Sequence, residues 1–219
     1  MRDKIKAVIF DMDGVLLDNN DWHLKSWLAY AQQREIPLRA EEAYERVFGK
    51  TNREIILEAY PECDEETILQ WSLEKEALYR EMYAPHFQLA AGLQDFLEKL
   101  RKNSIPLAVA SNAPMENIRF TLETGDIESY FSAIVWAGMV EKPKPHPDVY
   151  LKASSLLGIP PTDCLVIEDS PTGIRAASAA GCLSLGITST YKREELRQYT
   201  SHIADNFSEI TRLLFPSDS

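Results

Sequence analysis

Four short runs in this chain are apolar without alternation: Ala7-Val8-Ile9-Phe10, Leu107-Ala108-Val109-Ala110, Leu165-Val166-Ile167 and Leu183-Ser184-Leu185-Gly186-Ile187. A strand with one face in water alternates apolar and polar residues. A strand covered on both faces does not, and strands covered in this way belong to parallel sheets. Helix-patterned segments separate the later runs, so the rhythm is that of βαβ units.

The helices between the runs carry their own punctuation. Ser170 stands as a cap, Pro171 takes the first turn and Gly181 follows the end. Leu93, Phe96, Leu97 and Leu100 repeat at one-face spacing, and Val149, Ala153, Leu156 and Leu157 mark another helix before Gly158. Residues 19–84 behave differently: they offer no convincing strand and are dense in helix formers. Within them Gly49 reads as a helix stop, Thr51 with Glu54 forms a capping box, and Ile68, Trp71, Leu78 and Met82 share a stripe. The expected architecture is α/β, a Rossmann-like doubly wound parallel-sheet core of residues 1–18 and 85–219 with an inserted all-helical cap of residues 19–84. The tail after Phe215 is expected to fray.

Charge and composition narrow the classes of partner. With 23 basic against 34 acidic residues the net charge is −11, which repels phosphate backbones and anionic lipid surfaces. Neither nucleic acid nor membrane is expected as a partner, and no apolar segment approaches membrane-spanning length. Cys63, Cys164 and Cys182 are scattered and odd in number, which argues against a disulfide framework or a zinc site. No signal-like stretch precedes the first run, so the expected compartment is the reducing cytoplasm, with a monomer as the default state.

The chemistry lies where the runs end. The first leads into Asp11-Met12-Asp13-Gly14-Val15, the second into Ser111-Asn112 and the third into Glu168-Asp169-Ser170, with Lys144 in a loop between the last two. Asp-x-Asp alone is as well explained by a polar exit from a strand. Convergence of acids, hydroxyls and a lysine on several strand ends is harder to explain without a ligand, because open α/β sheets bind ligands there. Those residue types suit phosphoryl transfer. A phosphate monoester dianion resists an attacking anion until a hard cation and a lysine neutralise it, and Mg²⁺ takes carboxylate oxygens. A carboxylate can then attack phosphorus while a second acid manages the proton.

Asp11-Met12-Asp13-Gly14-Val15, Ser111-Asn112, Lys144-Pro145-His146-Pro147-Asp148 and Glu168-Asp169-Ser170-Pro171-Thr172-Gly173 resemble the four ordered motifs of the haloacid dehalogenase superfamily. The likeness is greatest to its β-phosphoglucomutase-like phosphatase branch, whose helical cap follows the first strand. The resemblance implies Asp11 as nucleophile and metal ligand, and Asp13 as general acid and base lending its carbonyl to the metal. Ser111 and Asn112 would hold the phosphoryl group and Lys144 would bridge it to Asp11. Asp169 would ligate Mg²⁺, with Glu168 a direct or outer partner. Lys142 fits the lysine motif less well, because Pro147-Asp148-Val149-Tyr150 keeps the family's spacing only from Lys144. Asp13 favours phosphate over halide chemistry, since the superfamily's dehalogenases lack an acid there.

In the insertion, Lys75 falls on the stripe of Ile68, Trp71, Leu78 and Met82. It could snorkel to solvent or reach a substrate. By resemblance His23, Arg53 and Lys75 match cap residues that contact substrate or assist closure, and Asn19 stands where a small polar residue follows the acid loop. Hinges are expected near Leu17 to Asn19 and Tyr83 to Ala91. The function expected is a Mg²⁺-dependent phosphatase of a small phosphorylated metabolite, a sugar phosphate by preference, working through an aspartyl phosphate. A β-phosphoglucomutase-type phosphohexomutase is the alternative, and an inactive scaffold with a binding or regulatory role the remaining one.

Overall fold

The computed structural model describes residues 4–216. In chain order it runs β1 (Ala7–Phe10), α1 (Asn20–Gln33), α2 (Ala40–Val47), α3 (Asn52–Ala59), α4 (Glu65–Tyr83), α5 (Leu93–Lys102) and β2 (Leu107–Ala110). It continues with α6 (Met115–Thr124), β3 (Ala133–Val135), α7 (Asp148–Leu157), β4 (Cys164–Glu168) and α8 (Pro171–Ala179). Last come β5 (Leu183–Ile187), α9 (Arg193–Leu196), β6 (Ile203–Ala204) and α10 (Phe207–Leu214). Contacts divide the chain into two compact units, one of residues up to Asp18 and from Gln88 onward, the other Asn19–Phe87.

The first unit is one sheet of order β3-β2-β1-β4-β5-β6, parallel at every pairing. The chain builds outward from β1 in one direction, then returns to build in the other. That puts the topological switch point at the carboxyl end of β1. Alternate residues of the central strand face opposite layers. Ala7 and Ile9 join Val149, Tyr150 and Ala153 of α7 and Ala176 and Ala177 of α8 in one cluster. On the other face the Phe10 ring meets Phe96 of α5 and Phe207 of α10, edge-on at 6.1 Å and tilted at 6.3 Å. Each such ring is worth roughly 1.5–3 kcal/mol when removed from water. The non-alternating runs are thus explained: all four residues of β1, and all four of β2, are buried.

Two strands escaped the sequence pattern. β3 has three residues and β6 two, at opposite edges of the sheet, too short for a run to stand out. The helix expected before Gly158 is α7, and Gly158 closes it at φ 67°. Leu156 is 49% exposed, and the buried face of α7 is Val149, Tyr150, Ala153 and Ser154. The tail after Phe215 lies outside the described residues except for Pro216.

The helical unit has its own core, with Trp27, Tyr30, Ile55, Ile56 and Ile68 buried together. α1 packs along α4, with α2 against α1 and α3 against α4. Thr51 accepts from the Glu54 N–H, and Glu54 in turn accepts from the Thr51 N–H, closing the capping box of α3. The expected stripe of α4 is rotated: Trp71, Leu78 and Met82 are half-buried, while Lys75, Glu76, Tyr79 and Tyr83 are buried. The reason is polar, because that face carries a hydrogen-bonded network around Lys75. No helix among the described residues is long and apolar enough to cross a membrane. Cys164 and Cys182 are buried free thiols, pushed up by burial to about 11 and about 12, and so inert as nucleophiles.

Candidate active site

β1 ends where its ladder is still paired: the Asp11 N–H donates to Ile167 O at 3.0 Å, fixing the backbone from which the carboxylate projects. The chain then turns sharply. Met12 O accepts from the N–H groups of Val15 and Leu16 at 3.2 and 2.8 Å, and Gly14 sits at φ +75°, a left-handed position where a Cβ would be strained. Asp13 is half-buried on this turn. To one side, the Ser111 N–H at the end of β2 donates to Val135 O at 3.0 Å, and Ser111 Oγ accepts from the Ala113 N–H at 3.1 Å. To the other, β4 delivers Glu168 and Asp169.

Lys144 ties these ends together. Its ammonium donates to Asp11 Oδ1 at 2.7 Å, to Glu168 Oε1 at 2.8 Å and to the Ala110 carbonyl at 2.9 Å. Asn112 Oδ1 accepts from the Lys144 backbone N–H at 3.1 Å, anchoring the loop that carries it. Lys142 is exposed, so Lys144 is the lysine that meets Asp11.

Glu168 is fully engaged. Oε1 accepts from Lys144 and from the Tyr150 hydroxyl at 2.7 Å, while Oε2 accepts from the N–H groups of Asp169 and Ser170 and from Ser170 Oγ, at 3.1, 3.1 and 3.0 Å. The same Ser170 Oγ accepts from the Gly173 N–H, capping α8. The carboxylate lies so close to the helix start that a Cβ on Gly173 would sit 1.6 Å from Oε1.

Oxygen atoms of Asp11, Glu168 and Asp169 lie within 4.8 Å of one another. That arrangement is electrostatically expensive with Lys144 as the cation in contact. Burial, opposed by Lys144 and reinforced by Glu168 and Asp13, raises Asp11 to about 7. Burial, then Glu168 and Asp11, raise Asp169 well above the usual carboxylate range. Burial works against Glu168 too, but Lys144, Tyr150 and Ser170 hold it below its ordinary value. Lys144 itself is disfavoured by burial and raised on balance by Asp11 and Glu168. The Asp11 and Asp169 carboxylates, hard oxygen donors in a cluster with a deficit of positive charge, suit Mg²⁺, with Glu168 behind them.

In the helical unit, the structure brings together His23 and Lys75 but not Arg53. Lys75 is 1% exposed: it donates to Glu76 Oε1 at 2.9 Å and lies 3.1 Å from His23 Nδ1, beneath the Trp27 and Tyr79 rings. It therefore does not snorkel to solvent. His23 stacks on Tyr79 at 3.9 Å, and Asn19 Nδ2 lies 3.3 Å from His23 Nε2 and donates to the Tyr79 hydroxyl at 2.6 Å. Asn52 donates to Glu76 at 2.8 Å. Arg53 is more than half exposed and ion-paired with Glu65.

Sequence reasoning did not single out Ser189 and Thr190 on the turn after β5, or the Tyr150 hydroxyl. Ser189 Oγ donates to Gly14 O and Thr190 Oγ1 to Asp169 Oδ2. The run Thr188-Ser189-Thr190 at a fourth strand end was the available signal. Extending the strand-end argument to β5 would have found it.

An open parallel sheet with acids, a hydroxyl and a lysine at its switch point is the Rossmann-like class of α/β fold with a ligand site at its strand ends. The chain belongs to the haloacid dehalogenase-like hydrolase family, whose model matches residues 8–187, and it is an enzyme of the phosphatase and phosphotransferase kind. It is 31% identical over 182 residues to a phosphorylated carbohydrates phosphatase from Thermotoga maritima, covering 81% of this chain and 82% of that protein. It is also 31% identical over 193 residues to the β-phosphoglucomutase of Bacillus subtilis, covering 84% of this chain and 83% of the other. Among solved structures, a HAD hydrolase of family IA, variant 3, from Entamoeba histolytica HM-1:IMSS superposes with a TM-score of 0.89 at 32% identity, covering 96% and 97% of the two chains.

Proposed function

We propose that this chain is a Mg²⁺-dependent phosphatase that releases inorganic phosphate from a phosphorylated sugar or similar polyol through an aspartyl phosphate on Asp11. The observation that carries the reading is the contact of Lys144 with both Asp11 and Glu168, beside Asp169, at the carboxyl edge of the sheet. That lysine neutralises part of the charge an incoming dianion meets and opposes the rise that burial imposes on Asp11.

Asp11 and Asp169, with the Asp13 carbonyl, are the groups that would hold Mg²⁺. Glu168 has both oxygens taken by donors and would reach the ion through water. When bound, Mg²⁺ supplies positive charge to the phosphoryl oxygens. The rest of the chemistry belongs to the side chains. Asp11 attacks phosphorus, and Asp13 protonates the departing ester oxygen, then takes a proton from the water that cleaves the acyl phosphate. Ser111 and Asn112 hold the phosphoryl group, and Asn112 also fixes the Lys144 loop. In the helical unit His23, half-buried, is the candidate for a substrate hydroxyl, and Lys75, buried and bound to Glu76 Oε1, holds the His23 ring. Arg53, paired with Glu65, would have to exchange that partner to meet a substrate.

A mutase reading draws equal support from identity, since the chain is 31% identical both to a phosphatase and to a β-phosphoglucomutase. The two differ in whether water or a sugar hydroxyl receives the phosphoryl group. Incubation with Mg²⁺, β-glucose 1-phosphate and a trace of the bisphosphate separates them: free phosphate supports the phosphatase, glucose 6-phosphate the mutase. Release from a panel of sugar phosphates that is unaffected by chelation of Mg²⁺ would overturn both.

A further inference from the structure

We propose that Thr190, assisted by Ser189, is a positioning residue that locks Asp169 against the acid loop and thereby sets the affinity of the site for a divalent cation. The inference rests on the reading of Asp11 and Asp169 as cation ligands. It adds a third segment of chain to them, one that no catalytic motif contains.

The geometry follows from strand order. β5 is separated from β1 by β4, so a turn leaving β5 must pass over the end of β4 to touch the loop after β1. It does so at two points. Ser189 Oγ donates to the Gly14 carbonyl, and Thr190 Oγ1 donates to Asp169 Oδ2. Between those contacts there is no slack. A Cβ on Gly14 would lie 2.1 Å from Asp169 Oδ2 and 2.7 Å from Thr190 Oγ1, so the acid loop, the ligand carboxylate and the threonine are in mutual contact.

A carboxylate can offer either oxygen to a cation, and free rotation spreads it over orientations that do not bind. A hydroxyl fixed on Oδ2 selects one orientation and leaves Oδ1 to the ion. Partners that hold ligands in this way are worth about 10–100-fold in metal affinity. The Ser189 contact does the equivalent for the backbone, pinning the peptide that follows Asp13. Because Ser189 is exposed and Thr190 half-buried, Thr190 carries the larger share.

The test is Mg²⁺ affinity measured without turnover, by calorimetric titration and by the rise in melting temperature with added Mg²⁺. Thr190→Val keeps the shape and removes the hydroxyl; Thr190→Ser keeps the hydroxyl and removes the methyl. The expected result is a dissociation constant about 10–100-fold higher for valine, with serine near wild type and metal-free melting temperatures alike. In turnover assays the valine variant should recover its kcat as Mg²⁺ is raised, with an unchanged KM for the phosphate ester. Thr190→Ala replaces valine if the larger side chain unsettles the turn. Wild-type Mg²⁺ affinity in a folded variant lacking the hydroxyl overturns the proposal. Wild-type protein that binds no Mg²⁺ at all overturns the ligand reading beneath it.

Discussion

Burial, opposed by the Lys144 ammonium and reinforced by Glu168 and Asp13, places Asp11 at about 7 instead of 3.8. The folded protein therefore holds a proton that the unfolded chain has lost between those values. Any stabilisation from that proton is present at low pH and disappears as pH rises through about 7. A cation that needs the ionised carboxylate must displace the proton. Mg²⁺ affinity is predicted to fall as pH drops below about 7, by up to about tenfold per unit, with protons released on binding. Calorimetry in buffers of different ionisation enthalpy measures both, and Asp11→Asn should reduce the release, leaving the share that the raised Asp169 contributes. Gly173 gives a second prediction. Alanine there would gain up to about 1 kcal/mol in helix propensity, but its methyl would lie 1.6 Å from Glu168 Oε1. Overpacking of that kind costs about 1–3 kcal/mol, so the clash wins. Gly173→Ala should melt earlier and lose activity together, because a displaced Glu168 lets go of Lys144.

Two helix caps of similar geometry should behave differently when removed. Thr51 caps α3 through the Glu54 N–H, far in sequence from the acids. Thr51→Ala should cost about 1 kcal/mol in denaturant unfolding and leave Mg²⁺ affinity unchanged. Ser170 caps α8 through the Gly173 N–H and also donates to Glu168 Oε2. Ser170→Ala should show a comparable loss of stability and, in addition, a lower kcat. At this scale the sequence was informative where burial on both faces forced a run of apolar residues, as in β1 and β2. It was silent on β3 and β6, whose two or three residues acquire strand geometry from pairing with β2 and β5. In α7 the exposure of Leu156 has a chemical cause. Tyr150 is buried because its hydroxyl reaches Glu168, and burying Tyr150 turns Leu156 outward.

Each of the two units has a core of its own, and that sets what a core mutation should do. Trp27 is buried within the helical unit. Trp27→Ala should remove about 3–5 kcal/mol from that unit, and hydrogen exchange should show protection lost there while β1, β2 and β4 stay protected. Uniform loss across both units would mean that they unfold as one. The candidate site was legible as a cluster because its groups sit at strand ends, where sheet topology gathers residues distant in sequence. Asp11, Ser111, Lys144 and Glu168 each announced themselves locally as a polar residue closing an apolar run or standing in a loop beside one. Thr190 stood beside such a run too, but which carboxylate it meets depends on β5 lying beside β4. The alternatives for Lys75 stayed open for a related reason: its partner His23 becomes visible only when α1 packs along α4.

The central claim is that the side chain of Asp11 carries the phosphoryl group. Acid quenching during turnover, borohydride reduction of any acyl phosphate and peptide mapping would locate it. The account predicts homoserine at position 11, dependent on substrate and Mg²⁺ and absent from Asp11→Asn. Reduction at another carboxylate, or a phosphoenzyme that persists in Asp11→Asn, would contradict it.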